Sequence, residues 1–365
     1  MDLRGIRGVW AFLLCIGSIN FVGCGSSSSS SSGSHNAYVA LPQFNQVAVY
    51  AIDNSKGSLS KISKAPIFAG ASAFATALDP SHKFLYVSNQ AENTVSQFMV
   101  GDGASLTEIM PRVATGVSPG ALVVDPSGSF LFVVNVLSSS VSAYTINGST
   151  GALTEVTGSP FATGLGPSQL AVAPSGNFLY VTNQNTNSIS VYGITSGTGF
   201  LNPIAGSPFG TPFAPSFLSF DHSGAFLYVS YASANGFGLF NVDGTTGVPS
   251  SVSPVPYAAG TSPAGIAVDP SGKFLFVANF ASANISVFTI DAATGIPTQV
   301  VKSPFAAGTG PLFVAVDPSG MFVFAGNQSS KNISSFTLDT TTGELTAVSG
   351  SPFATSGSVS SMSVE

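Results

Sequence analysis

A serine flanked by two glycines is the first feature of the chain that could do chemistry. Gly116-Val117-Ser118-Pro119-Gly120 has the Gly-x-Ser-x-Gly spacing of a nucleophile elbow, which holds its serine on a turn between a strand and a helix. No helical periodicity follows this segment, and Pro119 belongs to a loop that recurs along the chain. Because the 365 residues include 40 glycines, a chance match is expected. The pattern therefore does not predict a serine hydrolase.

Side chains that could act as bases or electrostatic catalysts are few. The chain has 3 histidines, His35, His82 and His222, and Arg112 is its only arginine after Arg7. His82 and His222 stand where other copies of a recurring turn have Gly or Pro, so we expect them to be surface substitutions rather than general bases. The carboxylates are spread over such turns, where capping through side-chain hydrogen bonds is their expected role. The sequence predicts no metal site and no cofactor.

These turns belong to a repeat that runs along most of the chain. The tetrapeptide Asp-Pro-Ser-Gly begins at Asp125, Asp269 and Asp317, and altered copies begin at Asp79, Ala173 and Asp221. From Asp125 onward the copies are 48 residues apart, which is typical of a repeat architecture. Aromatic residues and prolines keep the same step. They are Phe161, Phe209, Tyr257, Phe305 and Phe353, and Pro119, Pro167, Pro215, Pro263 and Pro311.

Each repeat has the pattern of four antiparallel strands. In the copy at Asp269, the apolar run 266–268 precedes the turn and a second run, 274–278, follows it. Residues 285–290 alternate between apolar and polar, and a fourth, weaker strand runs to Phe305. Four strands in about 40–50 residues form one blade of a β-propeller. We expect the aromatic series to pack between blades and to supply a large part of the core.

The two ends of the chain supply a seventh blade. Residues 38–40 and 47–53 resemble the second and third strands of a blade that lacks its first strand. Residues 361–364 resemble a first strand with nothing after it. Pairing of these segments would close the ring and leave no sheet edge at the junction. The sequence therefore predicts an all-β, seven-bladed β-propeller over residues 37–365, closed by pairing of the C-terminal strand with the N-terminal blade.

The strand after the turn carries a family resemblance. Tyr180-Val181-Thr182-Asn183 resembles the motif that names the YVTN propellers. The wider pattern is an Asp-Pro-Ser-Gly turn, Phe-Leu-Tyr-Val-x-Asn and a Thr-Gly-x-Leu turn. It is similar to that of the lactonase-type seven-bladed propellers related to 6-phosphogluconolactonase. The resemblance covers roughly residues 37–365, and it implies this fold and a lactone hydrolase as a candidate function. Its motifs are turn and core residues, which are specific for fold rather than for activity.

Residues 1–23 have the organisation of a lipoprotein signal peptide. Arg4 and Arg7 form a positive start, and the apolar stretch 9–19 is too short for a comfortable transmembrane helix. Phe21-Val22-Gly23-Cys24 resembles a bacterial lipobox, so we expect Cys24 to be lipidated. The Ser/Gly-rich segment 24–36 has the composition of a flexible tether. These features predict an exported protein, anchored to a membrane through Cys24 and facing the periplasm or the cell surface.

The low charge of the chain limits its partners. Charged residues make up only 7% of the sequence, the net charge is −6, and no basic cluster occurs. Nucleic acid is therefore not an expected partner. We expect a monomer.

The repeats differ most just after the repeated proline. Strands of a blade alternate in direction, so these positions should surround the central channel on the face where propellers usually bind ligands. Our candidates for ligand contacts are neutral residues from three repeats: Ser168, Gln169, Ser216, Phe217, Leu312 and Phe313. Sequence drift in a loop without function is the alternative that the sequence leaves open.

Two functions lead at this point, and a structural role at the cell surface also stays open. The first is a lipid-anchored binding or interaction module that takes a small molecule or an envelope protein at the channel mouth. The alternative is a lactone hydrolase of the 6-phosphogluconolactonase type, acting on sugar-acid lactones. A hydrolase needs a positioned base or electrophile, whereas a binding module can work with Phe, Gln and Ser. The sequence therefore leaves open whether the protein is an enzyme.

Overall fold

Turn residues at a fixed spacing cut the chain into short strands that form sheets of similar size. The computed structural model describes residues 35–62 and 66–365. These residues form seven antiparallel sheets, which are the seven blades of a β-propeller. The prediction of the fold class and of the blade number is confirmed. The predicted signal peptide, Cys24 and residues 25–34 of the tether lie outside the described residues.

The strands are numbered in chain order. Blades 1 and 2 contain β1 (His35–Leu41), β2 (Gln46–Ile52), β3 (Leu59–Lys61), β4 (Ile67–Phe68), β5 (Ala73–Leu78), β6 (Phe84–Asn89), β7 (Thr94–Gly101) and β8 (Ser105–Ala114). Blades 3 and 4 contain β9 (Pro119–Val124), β10 (Phe130–Asn135), β11 (Ser140–Ile146), β12 (Leu153–Glu155), β13 (Phe161–Ala162), β14 (Pro167–Val172), β15 (Phe178–Asn183), β16 (Ser188–Ile194), β17 (Leu201–Pro203) and β18 (Phe209–Gly210).

The remaining strands follow the same scheme. Blades 5 and 6 contain β19 (Leu218–Phe220), β20 (Phe226–Tyr231), β21 (Gly236–Val242), β22 (Pro249–Ser251), β23 (Tyr257–Ala258), β24 (Pro263–Val268), β25 (Phe274–Asn279), β26 (Asn284–Ile290), β27 (Pro297–Gln299) and β28 (Phe305–Ala306). Blade 7 contains β29 (Pro311–Val316), β30 (Phe322–Asn327), β31 (Asn332–Leu338), β32 (Leu345–Ala347) and β33 (Phe353–Ala354), and β34 (Ser361–Val364) returns to blade 1. Short 3-10 turns occupy Pro42–Phe44, Asp102–Ala104, Gln184–Thr186 and Ala232–Ala234.

The ring closes where the sequence predicts. β34 pairs antiparallel with β1, with Val39 opposite Met362 and Ala40 opposite Ser361. The C-terminal strand therefore becomes the innermost strand of blade 1, and neither partner is left with an open edge there. β1 begins already at His35, before the predicted propeller boundary at residue 37. The last two residues of the predicted tether are thus part of the first sheet.

In blades 3 to 7 the outermost strand is interrupted, contrary to the prediction of one continuous fourth strand, whereas β8 of blade 2 is continuous. In blade 6, β27 ends at Gln299 and β28 begins at Phe305, and both pair with β26. Between them, Ser303 Oγ accepts a hydrogen bond of 2.8 Å from the N–H of Val287. Pro304 follows and has no N–H to contribute to a ladder. The hydroxyl of Ser303 therefore replaces a backbone carbonyl as the acceptor at this point of the sheet.

The recurring carboxylates cap turns, as predicted. Asp125 is 3% exposed, and its carboxylate accepts hydrogen bonds from the N–H of Ser129 at 2.8 Å and of Phe130 at 2.7 Å. The same bond to the N–H five residues later recurs in four other blades. It is made by Asp79, Asp221, Asp269 and Asp317. Each carboxylate thus fixes the turn between the first and second strands of its blade.

The 48-residue aromatic series contributes less to the core than predicted. Phe305 and its counterparts are half-buried, because the outer strand segments to which they belong have one side in solvent. The largest fully buried rings come instead from the second strand of each blade. Examples are Tyr86, Phe132, Tyr180, Tyr228, Phe276 and Phe324. The core of each blade interface is therefore built on the second strand.

Candidate functional site

The six candidate residues lie around one cavity. Ser168, Gln169, Ser216, Phe217, Leu312 and Phe313 all line a cavity of about 330 Å³ at the mouth of the central channel, which we call the mouth cavity. They come from the first strands of blades 4 and 7 and from the segment just before the first strand of blade 5. The structure brings together residues that are up to three repeats apart in the sequence. Whether they bind a ligand stays a prediction.

An irregular start to the innermost strands explains why consecutive residues reach this cavity. In a regular strand, successive side chains point to opposite faces. The pairing of β14 with β15 shifts register between Pro167 and Gln169, and that of β29 with β30 shifts between Pro311 and Phe313. Such a bulge adds a residue and redirects side chains. Ser168 and Gln169 can therefore both line the cavity.

Blade 6 leaves a gap in the lining. Its residues at the two variable positions, Ala264 and Gly265, are not among the lining residues, and neither is Gly120 of blade 3. A Cβ on Gly265 would lie 2.5 Å from the Cα of Phe313, so only glycine permits the approach of blade 7 here. The variable positions therefore do not all contribute to the cavity.

Glycine also places the largest apolar side chain of the cavity. A Cβ on Gly326 would lie 2.0 Å from the Cζ atom of Phe313, so the ring rests directly on the Gly326 backbone. Other blades have Ser88, Thr182 or Ala278 at this position of the second strand, which would exclude such a ring. Phe313 is consequently only 8% exposed and fixed in place.

Sequence reasoning missed a second group of lining residues. The third position after the repeated proline also lines the cavity, as Leu122 and Val314 show, and so does Gln184 from the loop after β15. A comparison of the repeats that included this third position would have found Leu122 and Val314. Gln184 belongs to another loop. Its only signal in the sequence is its place directly after Asn183, the residue that ends the second strand.

The lining is neutral and mixes polar with apolar side chains. Blades 4 and 5 contribute hydroxyl and amide groups, from Ser168, Gln169, Gln184 and Ser216, and also the ring of Phe217. Blades 7, 1 and 2 contribute apolar side chains, from Leu312, Phe313, Val314, Met362 and Phe74, together with the hydroxyls of Thr76, Ser360 and Ser361. None of the lining residues that the structure describes has an ionisable side chain. The cavity therefore offers a ligand both hydrogen-bonding groups and apolar surface, without charge.

The two glutamines of the cavity have free side-chain amides. The N–H of Gln169 donates to Thr182 Oγ1 at 3.0 Å, and the N–H of Gln184 donates to the carbonyl of Gly166 at 2.9 Å. These backbone bonds fix the two residues. Neither side-chain amide has a hydrogen-bond partner among residues 35–62 and 66–365. Each amide can therefore donate to and accept from a ligand.

His82, His222 and Arg112 do not line the mouth cavity. His82 and His222 belong to turns that end the innermost strands, whereas the mouth cavity lies where those strands begin. Arg112 is held in two ion pairs on blade 2, with Glu108 at 2.7 Å and Glu92 at 3.0 Å. The hydrogen bond that the guanidinium donates to Glu108 raises the pKa of Arg112 above its ordinary value, although burial opposes this shift. This guanidinium is therefore already paired.

The described ranges, 35–62 and 66–365, also lack two kinds of feature. Among those residues, no cluster of three or more His, Cys, Asp or Glu side chains is placed to hold a metal ion. Over the same ranges, no helix combines the length and the apolar character needed to cross a membrane.

The sequence matches the family described as "Lactonase, 7-bladed beta-propeller". The match comprises residues 30–164, 156–256 and 249–360, so it spans nearly all of the propeller. The chain belongs to this lactonase family. No curated protein matches the sequence.

Solved structures resemble this lactonase-family propeller over almost its whole length. A candidate 6-phosphogluconolactonase from Bacteroides fragilis superposes with a TM-score of 0.81 at 18% identity, covering 93% of this chain and 100% of that one. The periplasmic gluconolactonase of Pseudomonas aeruginosa gives a TM-score of 0.79 at 20% identity, covering 91% and 99%. At these identities the likeness shows the shared fold alone.

Proposed function

We propose that this lactonase-family propeller is an exported, lipid-anchored binding module that takes a small uncharged ligand in the mouth cavity. The observation that carries the proposal is the neutral lining, which combines the free amides of Gln169 and Gln184 with apolar side chains such as Phe313. Ligand sites of this size are typically apolar with a few placed polar groups. An anionic ligand would find no cation to pair with among the described lining residues.

Ligand-detected NMR with a panel of small neutral and anionic compounds tests the binding role. We expect neutral compounds to bind and Gln169→Ala to weaken them by roughly 5–10-fold, the loss of about one hydrogen bond. Gln299→Ala removes a glutamine from an exposed outer strand and is the matched control. Binding of anionic compounds alone, or an affinity that is unchanged in Gln169→Ala, would contradict the proposal.

The anchoring part of the proposal rests on the sequence around Cys24. The wild-type protein should incorporate labelled palmitate and should sediment with membranes. Cys24→Ala should lose both the label and the membrane association, whereas Cys15→Ala, within the predicted signal peptide, should keep them. Label that persists in the Cys24→Ala protein would contradict lipidation at this residue.

Lactone hydrolysis is the second candidate, favoured by membership of the lactonase family. In the mouth cavity, the amide N–H groups of Gln169 and Gln184 could polarise a lactone carbonyl. The attacking water would still need a base, and the lining supplies only neutral side chains. The two functions differ in one measurable quantity, the rate of lactone hydrolysis above that of buffer.

A further inference from the structure

A second cavity adjoins the mouth cavity. It has a volume of about 390 Å³, and Phe74 and Ser360 line both cavities, so the two meet at these side chains. We call it the outer cavity. Its lining is almost entirely neutral and polar, with glutamines and serines from blades 7, 1 and 2. The glutamines are Gln43, Gln90 and Gln328.

Three glutamines that line the mouth and outer cavities occupy one position of the repeat. Gln90, Gln184 and Gln328 each follow the asparagine that ends a second strand. Each backbone N–H donates to a carbonyl of the loop that leads into the innermost strand. The bonds are Gln90 to Ser72 at 2.9 Å, Gln184 to Gly166 at 2.9 Å and Gln328 to Gly310 at 2.8 Å. The loops are thereby fixed.

The side chains of these glutamines are free. None of the three amides has a hydrogen-bond partner in the part of the chain that the structure describes. A carboxamide both donates and accepts hydrogen bonds, and so does a sugar hydroxyl. The two groups can therefore bind each other without any charge. The backbone holds three such groups at one face, in two cavities that meet.

From this arrangement we propose that the mouth and outer cavities are adjoining subsites for a neutral oligosaccharide. The inference rests on the proposed binding function and deepens it. One ring lies in the mouth cavity, with its C–H face on Phe313 and Leu312 and its hydroxyl edge toward Gln169. The chain continues past Phe74 into the outer cavity, where Gln90 and Gln328 bind hydroxyls of the next ring.

A peptide fits the mouth and outer cavities less well than an oligosaccharide does. Extended peptides gain affinity by adding a strand to a free sheet edge and by placing apolar side chains in pockets. The N–H groups of Gln90 and Gln328 are already used within the protein. The outer cavity offers few apolar contacts, chiefly Phe74 and Pro42. Its lining favours hydroxyl groups instead.

Titration calorimetry with sugars of increasing length tests the inference. The probes are glucose, mannose, galactose and N-acetylglucosamine, each as the monosaccharide and as its neutral tetrasaccharide. We expect at least one tetrasaccharide to bind about tenfold or more tightly than its monosaccharide, as one or two added hydrogen bonds would give. Gln90→Ala and Gln328→Ala should each remove most of this gain and leave the monosaccharide affinity unchanged.

Further variants separate the two cavities. Gln169→Ala should weaken mono- and tetrasaccharide alike, and Gln299→Ala on the outer strand should weaken neither. Equal affinity for both lengths, with binding still dependent on Gln169, would overturn the adjoining subsites but keep the proposed function. Failure of every sugar to bind would overturn the inference even if another neutral compound binds. Binding of an uncharged Ala/Ser peptide that depends on Gln90 and Gln328 would overturn it as well.

Discussion

Ser168 donates a hydrogen bond of 3.0 Å from its Oγ to the backbone carbonyl of Ser216, its counterpart one repeat later. The same bond recurs across the ring closure, where Ser360 Oγ donates to the carbonyl of Phe74 at 2.5 Å. Neighbouring blades are thus tied together at the rim of the mouth cavity. Ser168 positions the rim, and the adjacent Gln169, whose side chain is free, is the better candidate for ligand contact.

Blade 4 lacks the turn carboxylate that other blades have, which provides a matched pair of variants. Asp125→Ala should lower the free energy of unfolding by about 1–3 kcal/mol, because buried N–H groups lose their acceptor. Ala173→Asp should raise it by roughly 0.5–1.5 kcal/mol by supplying the missing acceptor to the N–H of Phe178. Urea unfolding measures both. Ala225→Asp, on an exposed site of another turn, is the control and should be nearly neutral. Loss of stability in Ala173→Asp would contradict the capping role.

Glycines in the turns between third and fourth strands let blades approach each other. Gly151 has φ +72°, and a Cβ there would lie 2.3 Å from Cδ1 of Phe84 in the preceding blade. Gly151→Ala should therefore cost about 2–4 kcal/mol of unfolding free energy. Gly148→Ala in the same turn meets nothing within 4 Å and should change stability little. Equal effects of the two substitutions would show that this contact between blades is unimportant.

Acid should weaken the fold partly through exposed turn carboxylates. The side-chain hydroxyl of Thr294, at 2.9 Å, and nearby backbone N–H groups lower the pKa of Asp291 below its ordinary value. A carboxylate with a lowered folded-state pKa stabilises the fold above its unfolded pKa, and this contribution is lost as the pH falls below about 4. Asp291→Asn keeps an acceptor that does not titrate. The urea midpoint of this variant should fall less between pH 5 and 2.5 than that of the wild type. Parallel declines would contradict this source of acid sensitivity.

Ring closure by β34 should matter for the whole domain. Deleting residues 359–365 removes the strand that pairs with β1 and leaves the inner edge of β1 unpaired. We expect a clearly lower melting temperature and a tendency to associate, measured by calorimetry and light scattering. Glu365→Gln retains the strand and is the control. An unchanged melting temperature in the truncated protein would contradict closure through a shared blade.

The repeat made the fold predictable, because turn residues such as Asp269 and strand-end residues such as Asn183 act locally and recur at fixed spacing. The six cavity residues were predictable for a related reason, since they vary where their neighbours do not. The placement of Phe313 was not, because it depends on Gly326 in another strand and on Gly265 in another blade. Such contacts between distant positions leave no periodic signal in a single sequence.

The break in the outermost strands of blades 3 to 7 was also beyond sequence reasoning. Residues such as Thr298 and Phe305 favour a strand, and only the structure shows that Ser303 Oγ replaces part of the ladder. The free amides of Gln90 and Gln328 were likewise hidden, because a sequence does not reveal which hydrogen bonds remain unmade.

Hydrolysis of sugar lactones by the purified propeller tests the proposed binding role most directly. With only neutral side chains around the mouth cavity, lactones of gluconate and 6-phosphogluconate should open no faster than in buffer, followed by pH-stat titration. General acid–base assistance typically gives about 10²–10⁴-fold, so true catalysis would be easy to detect. Turnover above buffer that is lost in Gln169→Ala would show a lactonase at the mouth cavity. Turnover lost in His82→Ala or His222→Ala would place the active site at the opposite end of the innermost strands. Either result would contradict a purely binding role.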